Sequence, residues 1–217
     1  MAKKIQLYSL ATPNGQKVSI ALEEMGLEYD AHKIDIREGD QFKPEFVKIN
    51  PNSKIPAIVD PTGDAGKPIA IMESGAILLH LAEKTGQFLS SNPGERSRTL
   101  QWLFFQMGGV GPMFGQFGHF FKYAKDKCDH PYPVTRYEKE TKRLLTVIEQ
   151  QLANSEFLAT NEISIADFAT APWVLCLDKF YEASEELGLK NFKNVQRWLN
   201  AFLARPAVER GMKVCAF

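Results

Sequence analysis

Every strand-like stretch of this 217-residue chain lies before residue 73, and only helical patterning follows. A chain divided in this way has to build a small mixed α/β layer first and an all-helical body second. Ile5 and Leu7 alternate with polar neighbours and predict a first strand over residues 3–8. Pro13, Asn14 and Gly15 carry turn chemistry; then Val18, Ala21, Leu22 and Met25 share one helical face, with Gly26 as its stop. Residues 29–36 read as a second strand, and a short helical piece falls near 44–48. Ile55-Pro56 opens a third strand ending at Asp60, the turn-rich stretch 61–68 follows, and 69–72 give a fourth. Ser74 then starts a helix whose apolar face includes Ile77, Leu78 and Leu81. The order βαβ then ββα implies a small mixed sheet with helices on its faces.

Ser90, Ser91, Asn92, Pro93 and Gly94 make a breaker-rich boundary, so the chain is divided into domains 1–86 and 96–217 with a linker at 87–95. In the second domain, residues 96–123 are helical but interrupted by Gly108, Gly109, Gly111 and Pro112, where a kink or break is expected. Residues 134–152 form a long amphipathic helix, and 194–203 a last one before Arg205-Pro206. Ser164 reads as an N-cap, Asp167 completes a capping box, and Ile163 with Phe168 forms the staple. Trp102, Phe104 and Phe105 read as core.

Composition narrows the partners. The 26 basic and 26 acidic residues balance without a block of one sign, which argues against nucleic acid or an anionic membrane surface. No apolar run approaches the roughly 18 residues needed to cross a bilayer, and the opening residues lack a secretory pattern, so a cytoplasmic protein is expected. Three widely spaced cysteines give neither a disulfide framework nor a metal site.

The loop from Ala11 to Asn14 follows a strand and opens a helix, where free amides and partial positive charge favour an anion. The plainer reading is a turn and cap. Lowering a thiol pKa by two units takes about 2.7 kcal/mol. A helix dipole supplies roughly 0.3–1 kcal/mol, and a hydrogen bond to a charged acceptor about 1.5–3. A donor is therefore required: Thr12 and Asn14 are the candidates, with Tyr8 as competitor. No cysteine precedes Cys128, so any thiol acting at this loop has to arrive with a ligand. Ile55-Pro56 is either a trans edge-strand proline or a cis peptide that turns the Ile55 backbone toward an extended peptide ligand. Glu73-Ser74 is either an ordinary cap or a grip on an α-amino acid, with Ser74 holding the carboxylate and Glu73 the ammonium group. Arg136 reads as a solvated face, His119 as packing and Cys128 as an incidental thiol. Phe114, Phe117, Phe120 and Tyr123 suggest an apolar wall.

Together these positions resemble the glutathione transferase family over essentially the whole chain. The resemblance is carried by Asn50 through Ala57 with Ile55-Pro56 inside, by Glu73 through Ile77, by Ser164 to Asp167, by Arg205-Pro206 and by the two-domain order. Thr12 through Gly15, Gln41 through Phe46, Gln101 through Gln106, Gly111 through Met113 and Arg136-Tyr137 are most similar to the bacterial Nu class and its fungal nitrogen-regulator-like relatives. The resemblance implies a thioredoxin-like N-terminal domain followed by a helical bundle. It implies bound glutathione, reduced or oxidised, as co-substrate, and no metal. Ile55 would pair with the cysteinyl part across cis Pro56, while Glu73 and Ser74 would hold the γ-glutamyl end. Gln41 and Lys54 would reach the glycine carboxylate, Thr12 and Asn14 the sulfur, and Arg136 would reach a ligand from the partner of a homodimer. The implied activity is glutathione-dependent reduction of a small-molecule or peptide disulfide. Conjugation of electrophiles, peroxide reduction, and a non-catalytic regulatory protein are the alternatives.

Overall fold

The computed structural model describes residues 4–217, so Lys3, where the first strand is predicted to begin, lies outside the described residues. The chain forms two compact units. One holds the described residues through Leu89 together with Ala204–Phe217, and the other is Ser90–Leu203. The division predicted from sequence carries 96–217 as one helical body; in the structure residues 204–217 pack with the first unit instead.

In the first unit β1 (Ile5–Ser9) lies centrally in a four-stranded sheet of order β2-β1-β3-β4. Its alternating pattern buries Ile5, Leu7 and Ser9. Helix α1 (Pro13–Glu24) crosses to β2 (Tyr29–Lys33), which pairs parallel with β1 and stops three residues short of the predicted end. A 3₁₀ turn (Asp40–Phe42) and the short α2 (Pro44–Val47) lead to β3 (Ala57–Asp64), antiparallel to β1. β3 and β4 (Lys67–Met72) form a longer hairpin than the sequence suggests, with a register shift between Asp60 and Asp64. Asp60 supplies the reason. Its buried carboxylate accepts the Thr62 N–H at 3.0 Å, His80 Nε2 at 2.8 Å and Lys84 Nζ at 2.9 Å, which ties the irregular strand to α3 (Ser74–Thr85). Burial pushes this carboxyl up, yet those three partners outweigh it and hold the pKa at about 2.

The regular elements described in the second unit are all helical. α4 (Pro93–Phe105) starts inside the predicted linker because Asn92 caps it, accepting from the Gly94 and Glu95 amides. The expected break is absorbed without leaving the helix. A π-helical turn spans Gln106–Val110, α5 follows (Gly111–Gly118), and a second π turn covers His119–Tyr123. α6 (Tyr132–Leu152) buries Thr141, Leu144, Leu145, Ile148 and Leu152 at spacings of one, three and four. α7 (Ile165–Lys179) is buried on most sides, followed by α8 (Ser184–Leu187) and α9 (Lys193–Leu203). The reading of Trp102, Phe104 and Phe105 as core needs correction. Thr99 and Leu103, one helical turn apart, carry the buried face of α4, and Phe104 points outward at 66% exposure. α10 (Pro206–Gly211) packs on α1 in the first unit. Among the described residues no helix is long and apolar enough to cross a membrane.

Candidate functional site

The sheet register gathers residues far apart in sequence. Tyr8 pairs with Ala57 and Ala57 with Met72, while Ser9 pairs with Lys33 in the parallel ladder. The loop after β1, the segment entering β3, the turn after β4 and the chain leaving β2 therefore meet at one end of the strands. Thr12, Asn14, Gln41, Lys54, Ile55, Glu73 and Ser74 all lie on those four segments.

Thr12 is the N-cap of α1, with extended backbone, and its Oγ1 accepts the Gly15 N–H at 3.3 Å. The hydroxyl's own proton is held only by a 3.5 Å contact to the Leu10 carbonyl, at the limit of a useful hydrogen bond, so it can turn to a stronger acceptor. Pro13 fills the first helical position and lacks an N–H. Gly15 is required by close approach, since a Cβ there would lie 1.9 Å from the Leu10 oxygen. The first turn contains no acidic side chain, so the positive end of α1 is not neutralised from within its own first turn. Asn14 is half-buried one residue past the proline. Tyr8 is engaged elsewhere, stacked on the His32 ring at 4.7 Å.

The Ile55-Pro56 peptide is cis, and the β3 ladder begins only at Ala57, so the Ile55 peptide takes no part in that ladder. Asn50 fixes the approach: its Nδ2 donates to the Lys54 carbonyl at 2.6 Å and its Oδ1 accepts the Asn52 N–H at 2.9 Å. The Lys54 side chain stays exposed. Gln41 donates weakly to the Ile36 carbonyl at 3.4 Å, and its buried Oε1 has no hydrogen-bond partner.

Glu73 occupies the cap position of α3 at φ 69 and ψ 113, a conformation that costs about 1–3 kcal/mol for a non-glycine residue. Its side chain makes no capping bond and is exposed. Ser74 is thus the first helical residue rather than the cap, and its buried hydroxyl accepts from Lys17 Nζ at 3.2 Å. Sequence reasoning missed Lys17, which looks like a solvated helix residue. Burial pushes its ammonium group down to about 7, with the Glu73 carboxylate pulling the other way.

The remaining predicted residues lie in the second unit. Arg136 is exposed on α6, in the field of Glu140. Ser164 and Asp167 make the expected capping box. Asp167 Oδ2 accepts from the Ser164 N–H and hydroxyl at 2.9 and 3.0 Å. Its Oδ1 accepts the Leu158 N–H at 3.0 Å and Trp198 Nε1 at 2.8 Å. Phe114 and Phe117 are fully buried core residues rather than a pocket wall, whereas Tyr123 is exposed. His119 is exposed and meets Phe120 edge-on at 5.0 Å. Among the described residues no cluster of His, Cys, Asp or Glu could hold a metal ion. Cys176 is buried, and burial pushes its thiol up to about 12. Because residues 204–217 belong to the first unit, that unit also holds a cysteine, Cys215.

Residues 11–84 match the glutathione S-transferase N-terminal domain and residues 112–206 the C-terminal domain. The chain is 48% identical over 215 residues to disulfide-bond oxidoreductase YghU of Escherichia coli K12, covering 95% of this chain and 73% of that protein. Disulfide-bond oxidoreductase YfcG of the same strain is 46% identical over 209 residues, covering 96% and 94%. A crystal structure of a glutathione transferase from Pseudomonas putida, with one glutathione disulfide bound per subunit, superposes with a TM-score of 0.94. It is 53% identical, covering 97% of this chain and 91% of that one. With a thioredoxin-like unit, a helical unit and these relatives, the chain belongs to the glutathione S-transferase family of enzymes, in the Nu-class branch of the YghU type.

Proposed function

We propose that this enzyme is a glutathione-dependent disulfide-bond oxidoreductase in which bound glutathione supplies the nucleophile. The observation that carries the reading is the start of α1: a helix terminus with no acid in its first turn, capped by a threonine whose hydroxyl proton is barely engaged. The amides and dipole of α1 favour a thiolate there, and Thr12 with the Asn14 amide supplies the donors needed for the rest of the shift. Ile55 pairs through its peptide with the cysteinyl part beside cis Pro56, Gln41 and Lys54 take the glycine carboxylate, and Glu73 and Ser74 take the γ-glutamyl end. Arg136 reaches the ligand of the partner in a homodimer. The domain division at 1–86 and 96–217 belongs to the same reading, with residues 204–217 docked back on the first unit. Reduced glutathione is supplied in the cytoplasm, where we place the enzyme.

The glutathione thiolate attacks one sulfur of the substrate disulfide. A new S–S bond forms, the old one breaks, and the departing thiolate takes up a proton. A second glutathione thiolate then attacks the glutathionyl sulfur of the mixed disulfide, giving oxidised glutathione and a second substrate thiol. Two glutathiones are oxidised for each disulfide reduced. The glutathione disulfide bound by the Pseudomonas putida relative is the product such a cycle releases, which supports this reading over conjugation. The test measures glutathione consumption with a small model disulfide beside a chlorinated aromatic acceptor. Fast disulfide turnover with slow conjugation is expected; the reverse ranking would move the assignment to a conjugating transferase and make Tyr8 the residue to examine.

A further inference from the structure

Cys215 adopts the left-handed backbone conformation at φ 53, and its carbonyl accepts the N–H of Ala11 at 3.0 Å. Ala11 is buried and immediately precedes Thr12. The segment leading to Cys215 is fastened along the first half of α1. The Gly211 carbonyl accepts from Ser19 Oγ at 2.7 Å, and the Met212 carbonyl from Gln16 Nε2 at 3.4 Å. Gly211 admits no side chain, since a Cβ would lie 2.6 Å from the Ile20 Cα. Beyond Cys215 the Arg37 guanidinium lies 5.1 Å from the centre of the Phe217 ring, and Arg37 is itself held by Asp35. Residues 211–217 thus form a strap from α1 across the loop after β1 to the loop after β2.

We propose that this strap is a positioning element for glutathione activation: the Cys215 carbonyl fixes Ala11, and through it the directions in which Thr12 and Asn14 present their donors. The proposal rests on the roles given to Thr12 and Asn14 above. The backbone of residue 215 does the positioning, not its thiol. Burial pushes that thiol up despite the nearby Lys33, so it remains protonated and is a poor nucleophile. If the 215 peptide swings away, the buried Ala11 N–H loses its acceptor and the loop must rotate to find another. Because a β-branched residue resists the left-handed region and glycine accepts it, substitutions at 215 separate backbone from thiol.

The experiment compares Cys215→Gly, Cys215→Ala and Cys215→Val in the full chain. It measures amide hydrogen exchange over residues 11–16 in the free protein, and kcat and KM for glutathione-driven reduction of a model disulfide across pH. Cys215→Gly is expected to match the parent in exchange and rate, with Cys215→Ala between it and Cys215→Val. Cys215→Val is expected to exchange faster at Ala11 and to lose about tenfold in kcat. Its pH–rate profile should move upward, with the KM for glutathione little changed. A Cys215→Val protein indistinguishable from the parent overturns the proposal. So does a Cys215→Gly protein as impaired as Cys215→Val, which would place the role in the thiol. Faster exchange with an unmoved pH profile also overturns it, since the strap would then be packing only. Failure of the underlying reading looks different: Thr12→Ala and Asn14→Ala would leave the rate unchanged whatever happens at residue 215.

Discussion

Two helix starts of the first unit, those of α1 and α3, are finished differently from three of the second, those of α4, α7 and α9. In the second unit, α7 is closed by Asp167 from its own first turn, α4 by Asn92 with Glu95 following, and α9 by Glu149. The Glu149 carboxylate accepts the Asn194 and Val195 amides at 3.1 and 2.9 Å. In the first unit neither α1 nor α3 has an acidic side chain in its first turn, and the hydroxyl at the start of α1 is only loosely bonded. A protein carboxylate at a helix start stabilises the fold, and the same position left open can receive a carboxylate or thiolate from a ligand. On the proposed function, the contrast separates residues that hold the structure from residues that do its chemistry.

The largest effect on stability is expected at the closed end. Asp167→Ala removes four accepted hydrogen bonds and strands the Leu158 N–H and Trp198 Nε1 in the core. A loss on the order of 3–5 kcal/mol is expected by denaturant unfolding. The fraction that still folds should keep its kcat. At the open end the balance reverses. Thr12→Ala with Asn14→Ala should lower disulfide turnover by about a hundredfold, corresponding to roughly two lost donor contacts to charge. Its stability cost should stay near 1 kcal/mol, that of one lost cap. A double variant within twofold of the parent rate would remove the assigned roles.

Lys17 sharpens the comparison, because it is a buried cation beneath the open start of α3. Its folded pKa lies near 7, below the ordinary 10.5, so the unfolded chain binds more protons between those values. Stability therefore rises as pH is raised from about 7 toward 10. Lys17→Met should abolish that rise and raise the KM for glutathione more than it lowers kcat. A parent protein with flat stability over this range would contradict the lowered pKa of the buried Lys17. The effect at Asp60 is smaller. Its carboxylate contributes stability above pH 4 that is lost as pH falls toward about 2, so Asp60→Asn should flatten the acid limb of the unfolding curve.

How far the sequence spoke depends on the range of each interaction. Thr12-Pro13, Ile55-Pro56 and Ser164 to Asp167 are local signals, and in each the residue types that announce a cap or strand entry are those found there. The order of strands and helices follows from periodicity, which is also local. Lys17 was illegible, because its burial depends on Ser74 and Glu73 more than fifty residues away. The carbonyl of Cys215 reaches Ala11 across nearly the whole chain, and a backbone contact leaves no trace in residue type. Phe104 misled for a related reason. An aromatic cluster reads as core, but which member points inward depends on the helical phase set by Thr99 and Leu103.

The measurement that bears most directly on the account places a carboxylate at the open helix start. Asn14→Asp puts an acid in the first turn of α1, as Asp167 stands in α7. Denaturant unfolding and the pH profile of glutathione-driven disulfide reduction would be recorded on the same preparation. The account predicts opposite signs: stability should rise by about 0.3–1 kcal/mol, while the thiolate is repelled and turnover falls at least tenfold at neutral pH. A variant that gains stability and keeps the parent rate would contradict the claim that the start of α1 is held open for a ligand's thiolate.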